Sequence, residues 1–226
     1  NYRYPGKNAA VFAENVLNIS PRWTLTTGVR WEYIETNAKG YYRENVFIGD
    51  SLYHYARHSE SKQNIRRFPL FGAGLSYRVH EDIELYANVT QNFRSINFSD
   101  LTASNPNIVI DSNLTDERGF SVEAGLRGRI NEGKTRFDIT AFWINYRNRI
   151  GLINHRMEDP VFGYRSLAYR TNVGHARIFG VEGTWQQQWL STEADGWTLT
   201  STLTAGLNHA RYVDGFGGIV HNKVEY

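Results

Sequence analysis

No cysteine occurs anywhere in the 226 residues. A disulfide framework, a thiolate metal site and a cysteine nucleophile are therefore excluded. Nor is there a strong excess of one charge: 25 Lys and Arg stand against 23 Asp and Glu, a net +2, so bulk electrostatics point to no polyanionic partner such as nucleic acid. No stretch approaches the about 18 consecutive apolar residues of a transmembrane helix. A basic, apolar leader is missing as well; the chain opens at Asn1 and stops at Tyr226 after a polar loop, which reads as a fragment of a longer protein. Gly-x-Ser-x-Gly, a phosphate-binding glycine loop and His-Glu-x-x-His are also absent, so the chain is not expected to be an enzyme.

What is abundant is aromatic: 14% of the chain, with 14 Tyr and 6 Trp. Mean hydropathy is −0.51, a value compatible with strands that keep one face wet. From Trp23 the sequence alternates without a break. Trp23, Leu25, Thr27, Val29, Trp31 and Tyr33 fall on one side, and Thr24, Thr26, Gly28, Arg30 and Glu32 on the other. A strand repeats every two residues, so this segment has one apolar and one polar face.

The pattern recurs in roughly eight segments: 8–19, 23–36, 68–79, 83–93, 119–130, 135–153, 177–190 and 197–212. Short turns at Ser20–Arg22, His80–Asp82, Asn131–Lys134 and Ser191–Gly196 alternate with long loops expected over 37–67, 94–118 and 154–170. Short turns at one end and long loops at the other fit antiparallel hairpins crossing a membrane. The fold class read from this is all-β, an antiparallel transmembrane β-barrel. A large soluble sandwich or up-and-down barrel alternates too; aromatics near the ends of one face favour lipid outside and water inside. Trp23, Val29, Leu75, Leu126 and Leu203 gathered in a common dry core would refute the membrane reading. Gly28, Gly72, Gly74, Gly125, Gly180 and Gly206 are expected on the inner face, relieving crowding. The lipid face is ambiguous in the first and sixth strands, because Phe137–Tyr146 has large apolar groups on both sides.

Four stretches carry a family likeness. Asn8–Asn15 followed by Leu25–Glu32 contains a Gly-x-Arg-x-Glu element at Gly28, Arg30 and Glu32. Tyr86–Arg94 ends in Phe-Arg; Leu114–Glu117 precedes Glu123 and Gly125; and Asn172, Gly174, Ala176, Gly180 and Glu182 form an Asn-x-Gly-x-Ala…Gly-x-Glu pattern. In this order they resemble TonB-dependent outer-membrane receptors, particularly ferric citrate and siderophore transporters. The resemblance implies a bacterial outer-membrane location and a segment of a plugged barrel of about 22 strands. It also implies that residues 1–226 form part of one barrel domain, with the plug and the C-terminal closing strands outside this sequence. The implied partners are the bilayer with its lipopolysaccharide, a ferric chelate, and the TonB complex reached through the missing N-terminal part.

In such receptors the long loops capture substrate. The candidates are Tyr41, Tyr42, Arg43, Tyr53, His54, Tyr55 and Arg57 in one loop and His155, Arg156 and Arg165 in another. Arginine binds carboxylates through paired, charge-assisted hydrogen bonds, and tyrosine offers flat amphipathic surface. No protein-held metal is expected. His54 and His58 are four apart without a predicted helix, and the calcium-loop-like Asp111–Thr115 run has Asp116 and Val122 where Gly and Glu belong. Iron would travel inside its chelator, with no resident cofactor. Alternatives are import of cobalamin or glycan, a non-transport adhesin or structural barrel, and a soluble all-β binding protein.

Overall fold

A computed structural model describes residues 2–48, 51–97, 100, 108–159, 163–192 and 196–215. The described residues form one sheet of ten strands: β1 Tyr2–Arg3, β2 Gly6–Asn18, β3 Trp23–Ile48, β4 Ser51–His80, β5 Ile83–Arg94, β6 Ile108–Ile110, β7 Glu117–Ile130, β8 Thr135–Asp159, β9 Gly163–Thr192 and β10 Trp197–Gly215. β1 and β2 are one stave interrupted at Tyr4–Pro5, where proline offers no N–H to the ladder and Asn37 N–H donates to the Pro5 carbonyl at 3.1 Å. The long strands pair antiparallel in the order β2-β3-β4-β5-β7-β8-β9-β10. Among the described residues β2 and β10 do not pair with each other, so the wall is open.

Register explains why the alternation is so regular. One row of opposed residues runs Leu17, Leu25, Leu75, Ala87, Ala124, Ala141, Val181, Leu207. The row one residue away runs Thr24, Ser76, Tyr86, Gly125, Thr140, Glu182, Gly206. A one-residue slip anywhere would exchange the faces, so the pattern excludes odd shifts of the pairing. The apolar row does not close into a core. Leu203 and Leu207 are 68% and 83% exposed, and Trp23, Val29 and Leu75 lie at the surface with them. Leu126 is half-buried. Among the described residues only Ala38, Ile96, Val173, Ala176 and Ala210 are buried apolar groups, far too few for a soluble domain of this size.

The sixth-strand ambiguity resolves. Phe137, Ile139, Ala141 and Trp143 share the apolar face, with Ile139 and Trp143 exposed and Phe137 stacked on Trp185. Phe142 lies on the other face, above Gly180, where a Cβ would approach its Cζ to 2.7 Å. Gly125 plays the same part for Tyr86, whose ring a Cβ there would meet at 2.4 Å. The Tyr86 hydroxyl reaches Asp138 at 2.9 Å and Thr140 at 2.5 Å.

The long loops are the principal correction. Residues 37–48 and 51–67 are not loop: β3 and β4 continue as a paired hairpin to Ile48 and Ser51. Likewise β8 and β9 continue through 154–159 and 163–170. Beyond the alternating segments, a ladder held by backbone pairing persists without apolar alternation. The 94–118 segment is largely irregular in its described part. It contains β6, which pairs in parallel with Ala168–Arg170 on the edge that β10 leaves free beyond Gly174.

Candidate binding wall

The candidate residues sit on two hairpin extensions. On β3–β4, Arg43 opposes Arg57 and Tyr42 opposes His58. The Arg57 guanidinium lies 3.7 Å from the centre of the Tyr41 ring, and that of Arg43 lies 5.9 Å from it. Two like charges directly across a ladder repel; the shared ring face offsets part of that. Tyr55 is exposed. On β8–β9, Arg156 lies 4.8 Å over Tyr164, and His155 packs against Tyr169 at 5.5 Å between centroids. The side chains of Tyr42, Tyr53, His54 and Arg165 lie outside the described set. Each hairpin thus assembles its own arginine–tyrosine cluster, a surface suited to an anion with a planar organic part.

Below the hairpins, a polar network straps residues 95–97, 100 and 111–116 across the wall. Arg66 is 7% exposed; its Nε meets Asp116 at 2.6 Å and its Nη1 donates to Thr36 at 3.2 Å. Arg94 bridges Glu117 at 2.8 Å and Asp100 at 3.0 Å. Glu117 also accepts from the Ile150 amide, and Asp116 from the Ile96 amide, each at 2.9 Å. Ile96, Leu114 and Ile150 close on Ala38 beneath this network. Asp111 accepts the Thr171 hydroxyl at 2.5 Å and the Asn113 amide at 2.8 Å, which hold its carboxyl below the ordinary aspartate value. Burial, together with the neighbouring Asp111, raises the Tyr169 phenol. Glu32 Oε2 and Arg66 Nη2 are buried without a hydrogen-bond partner among the described residues. No cluster of His, Asp or Glu there could hold a metal ion.

Motif residues are tied into the wall at Glu32, Asn172, Gly174 and Ala176. Arg30 Nε meets Glu32 at 2.5 Å. The Asn172 amide group donates to the carbonyls of Asn148 at 2.7 Å and Thr115 at 2.9 Å, and its oxygen accepts from Thr115. Asn172 therefore staples the strap to β8 at the positive-φ residue Asn148. Gly174 has φ 145° at the β9–β10 bulge, where a Cβ would lie 2.2 Å from the Asp214 carbonyl. Ala176 is 0% exposed under Tyr146, Ile178 and Tyr212. Gly28, Glu123 and Glu182 stand on the polar face. Arg149 also reaches Glu117 at 4.0 Å and Arg170 reaches Asp100 at 3.5 Å, and alternation could not have revealed Arg66, Arg94, Arg149 and Arg170 as partners of this network. Asp116, Glu117 and Arg94 lie inside motif stretches, but Arg66, Arg149 and Arg170 carry no pattern of their own.

The family profile described as "TonB dependent receptor-like, beta-barrel" matches residues 1–224. Solved structures agree in fold at low identity. The ferric-catecholate import receptor Fiu of E. coli superposes with TM-score 0.66 at 13% identity, over 95% of this chain and 29% of that one. The copper transporter OprC gives TM-score 0.65 at 16% identity, over 92% and 29%. The RagAB peptide importer gives TM-score 0.56 at 14% identity, over 96% and 31%. The chain spans about 29% of the length of the first of these receptors.

Proposed function

The chain belongs to the TonB-dependent receptor-like β-barrel family, bacterial outer-membrane proteins that transport rather than catalyse, and from that premise we propose that it is wall and capture surface of an importer of anionic ferric chelates. In this reading residues 1–226 are part of one transmembrane barrel domain, completed by a plug and further strands. The observation that carries the cargo assignment is the pair of arginine–tyrosine clusters, Arg57 on Tyr41 and Arg156 on Tyr164. Guanidinium groups would grip the carboxylate or catecholate oxygens at the rim of a chelate while the rings cover its organic face. Iron stays inside the chelator as cargo. Energy for release comes through TonB, so this wall needs no nucleotide site.

The test is uptake of radio-iron by a strain lacking the full-length receptor, supplied with one ferric chelate at a time. Loss of uptake of at least one anionic chelate is expected. Arg57→Ala with Arg156→Ala in the restored receptor should raise the half-saturating concentration about tenfold or more. Unchanged uptake of every ferric chelate by the deletion strain would remove the iron assignment, leaving copper, peptide, cobalamin and glycan as cargo classes to assay.

A further inference from the structure

The wall splits between β4 and β5. Their ladder ends at Gly72 and Thr90, while the far part of β4 stays beside β3 up to Ser51 and β5 runs on beside β7 to Arg94. Pro69 sits just past the split, with no N–H to offer a neighbour. The Phe71 amide donates instead to the Gln91 side chain at 3.1 Å. That bond fixes the directions along β4. Odd-numbered amides point toward β5, and even-numbered ones toward β3, as Arg78 does in donating to the Arg22 carbonyl at 2.8 Å. Ser61, Gln63, Ile65 and Arg67 therefore turn their backbone groups to an edge with no strand beside it among the described residues.

A cavity of about 410 Å³ opens on that edge. Ser61, Lys62, Gln63 and Asn64 line it in sequence. Side chains alternate between the two faces of a strand, so four consecutive residues front one cavity only along the strand's edge. The far side is Ile110 of β6 with Asp111 and Ser112. The Asp111 amide donates to the Arg170 carbonyl on β9 at 2.9 Å, so the backbone groups of Ile110, one residue away, face the cavity. Ile96 and Leu114 add an apolar patch next to Ala38. Two half-buried side chains of the lining, Lys62 and Asn64, have no hydrogen-bond or ion-pair partner among the described residues. The acid of the lining, Asp111, is engaged by Thr171 and Asn113, which leaves the Lys62 charge uncompensated.

We propose that this slot binds a free peptide in extended conformation, carrying an acidic side chain and about four residues long, by strand addition. Such a site takes its affinity from main-chain hydrogen bonds and its selectivity from the flanking side chains. Backbone edges border the slot on two sides, so its occupant needs both of its own edges free. A single peptide has that; a strand already paired in another protein's sheet does not. Lys62 meets the acid through a charge-assisted hydrogen bond, and Ile96 and Leu114 cover an apolar neighbour. None of the lining residues belongs to the arginine–tyrosine clusters, so the site stands apart from the chelate assignment.

The test uses the full-length receptor in detergent micelles and the peptide Val-Glu-Val-Glu-Val, blocked at both ends and dye-labelled, with binding read by fluorescence anisotropy. Saturable binding is expected, and methylation of alternate peptide nitrogens, in either register, should weaken it at least about tenfold. Exchanging both Glu of the peptide for Gln should weaken binding to wild type about threefold or more and make no difference to Lys62→Gln. Ser61→Pro removes an N–H that faces the slot rather than β3, a position where a strand tolerates proline, and should lower affinity toward that of the methylated peptides. No saturable binding up to millimolar peptide, or methylated peptides that bind as tightly as the parent, would overturn the proposal. So would wild-type affinity in Ser61→Pro, or a Lys62→Gln receptor that still prefers Glu over Gln. If Ser61→Pro does not assemble, as judged by heat-modifiable mobility, the methylated peptides on wild type decide.

Discussion

Val181 is the most direct probe of which face meets lipid. It lies in the apolar row between Ala141 and Leu207 and is 51% exposed. Were this exposed face bathed in water, Val181→Arg would cost no more than about 0.5 kcal/mol, as for most surface substitutions. Facing hydrocarbon, an arginine near the bilayer midplane costs about 2–4 kcal/mol. At roughly tenfold per 1.4 kcal/mol, that is a thirtyfold or greater loss in the folded-to-unfolded ratio. Thr184 lies three residues along the same strand on the opposite face, paired across to Thr204 with 3.3 Å between hydroxyl oxygens. Thr184→Arg faces the wet lumen, opposite Asp138, and is expected to fall within about 0.5 kcal/mol of wild type. The assay is urea unfolding of the full-length receptor in phospholipid vesicles, followed by Trp fluorescence and heat-modifiable mobility. Equal midpoints for the two variants, or a larger loss at Thr184, would refute the face assignment.

Packing gives a second pair of variants. Gly125→Ala puts a Cβ 2.4 Å from the Tyr86 ring and 2.8 Å from the Ile139 carbonyl, an overpacking expected to cost about 1–3 kcal/mol; Gly28→Ala, with its nearest atom at 3.8 Å, should leave the urea midpoint nearly unchanged. Arg66→Met strands Asp116 in the strap network; loss of one partner from a buried pair costs up to about 3–5 kcal/mol, and faster proteolysis within 95–116 should report it. Acid acts at the β9–β10 bulge. The His175 side chain and amide hold the Asp214 carboxyl below its ordinary 3.8, so its contribution is fully present above that value and is lost as pH falls through the depressed pKa. Exchange of the His175 amide, relative to its intrinsic rate, should rise over that acid window in wild type and show no such step in Asp214→Asn.

The strands that cross the membrane were legible because lipid on one side and water on the other impose a two-residue repeat. Trp23–Tyr33 shows it in full, and Ile83–Phe93 is extended in the structure by only one residue. Where that constraint ends, legibility ends. Residues 51–67 and 163–170 are strand without apolar alternation, because backbone pairing alone extends those hairpins. For the same reason Tyr41, Arg43 and Arg57 read as loop residues, although they lie in a ladder that places two guanidinium groups near one ring. The Asn172–Gly174–Ala176 pattern was visible as letters. Its physical content, a staple, a positive-φ bulge and a position with no room for a larger side chain, needed the neighbouring strands.

The chain's own order of residues determined that it forms long antiparallel strands with an oily side and a wet side, since side-chain direction in a strand depends on nothing beyond position parity. Tertiary structure alone decided which charges meet across strands. Arg66 and Asp116 are 50 residues apart, and whether an arginine ends beside a carboxylate or, like Arg177 and Arg211, beside another arginine depends on the register of strands that no local pattern encodes.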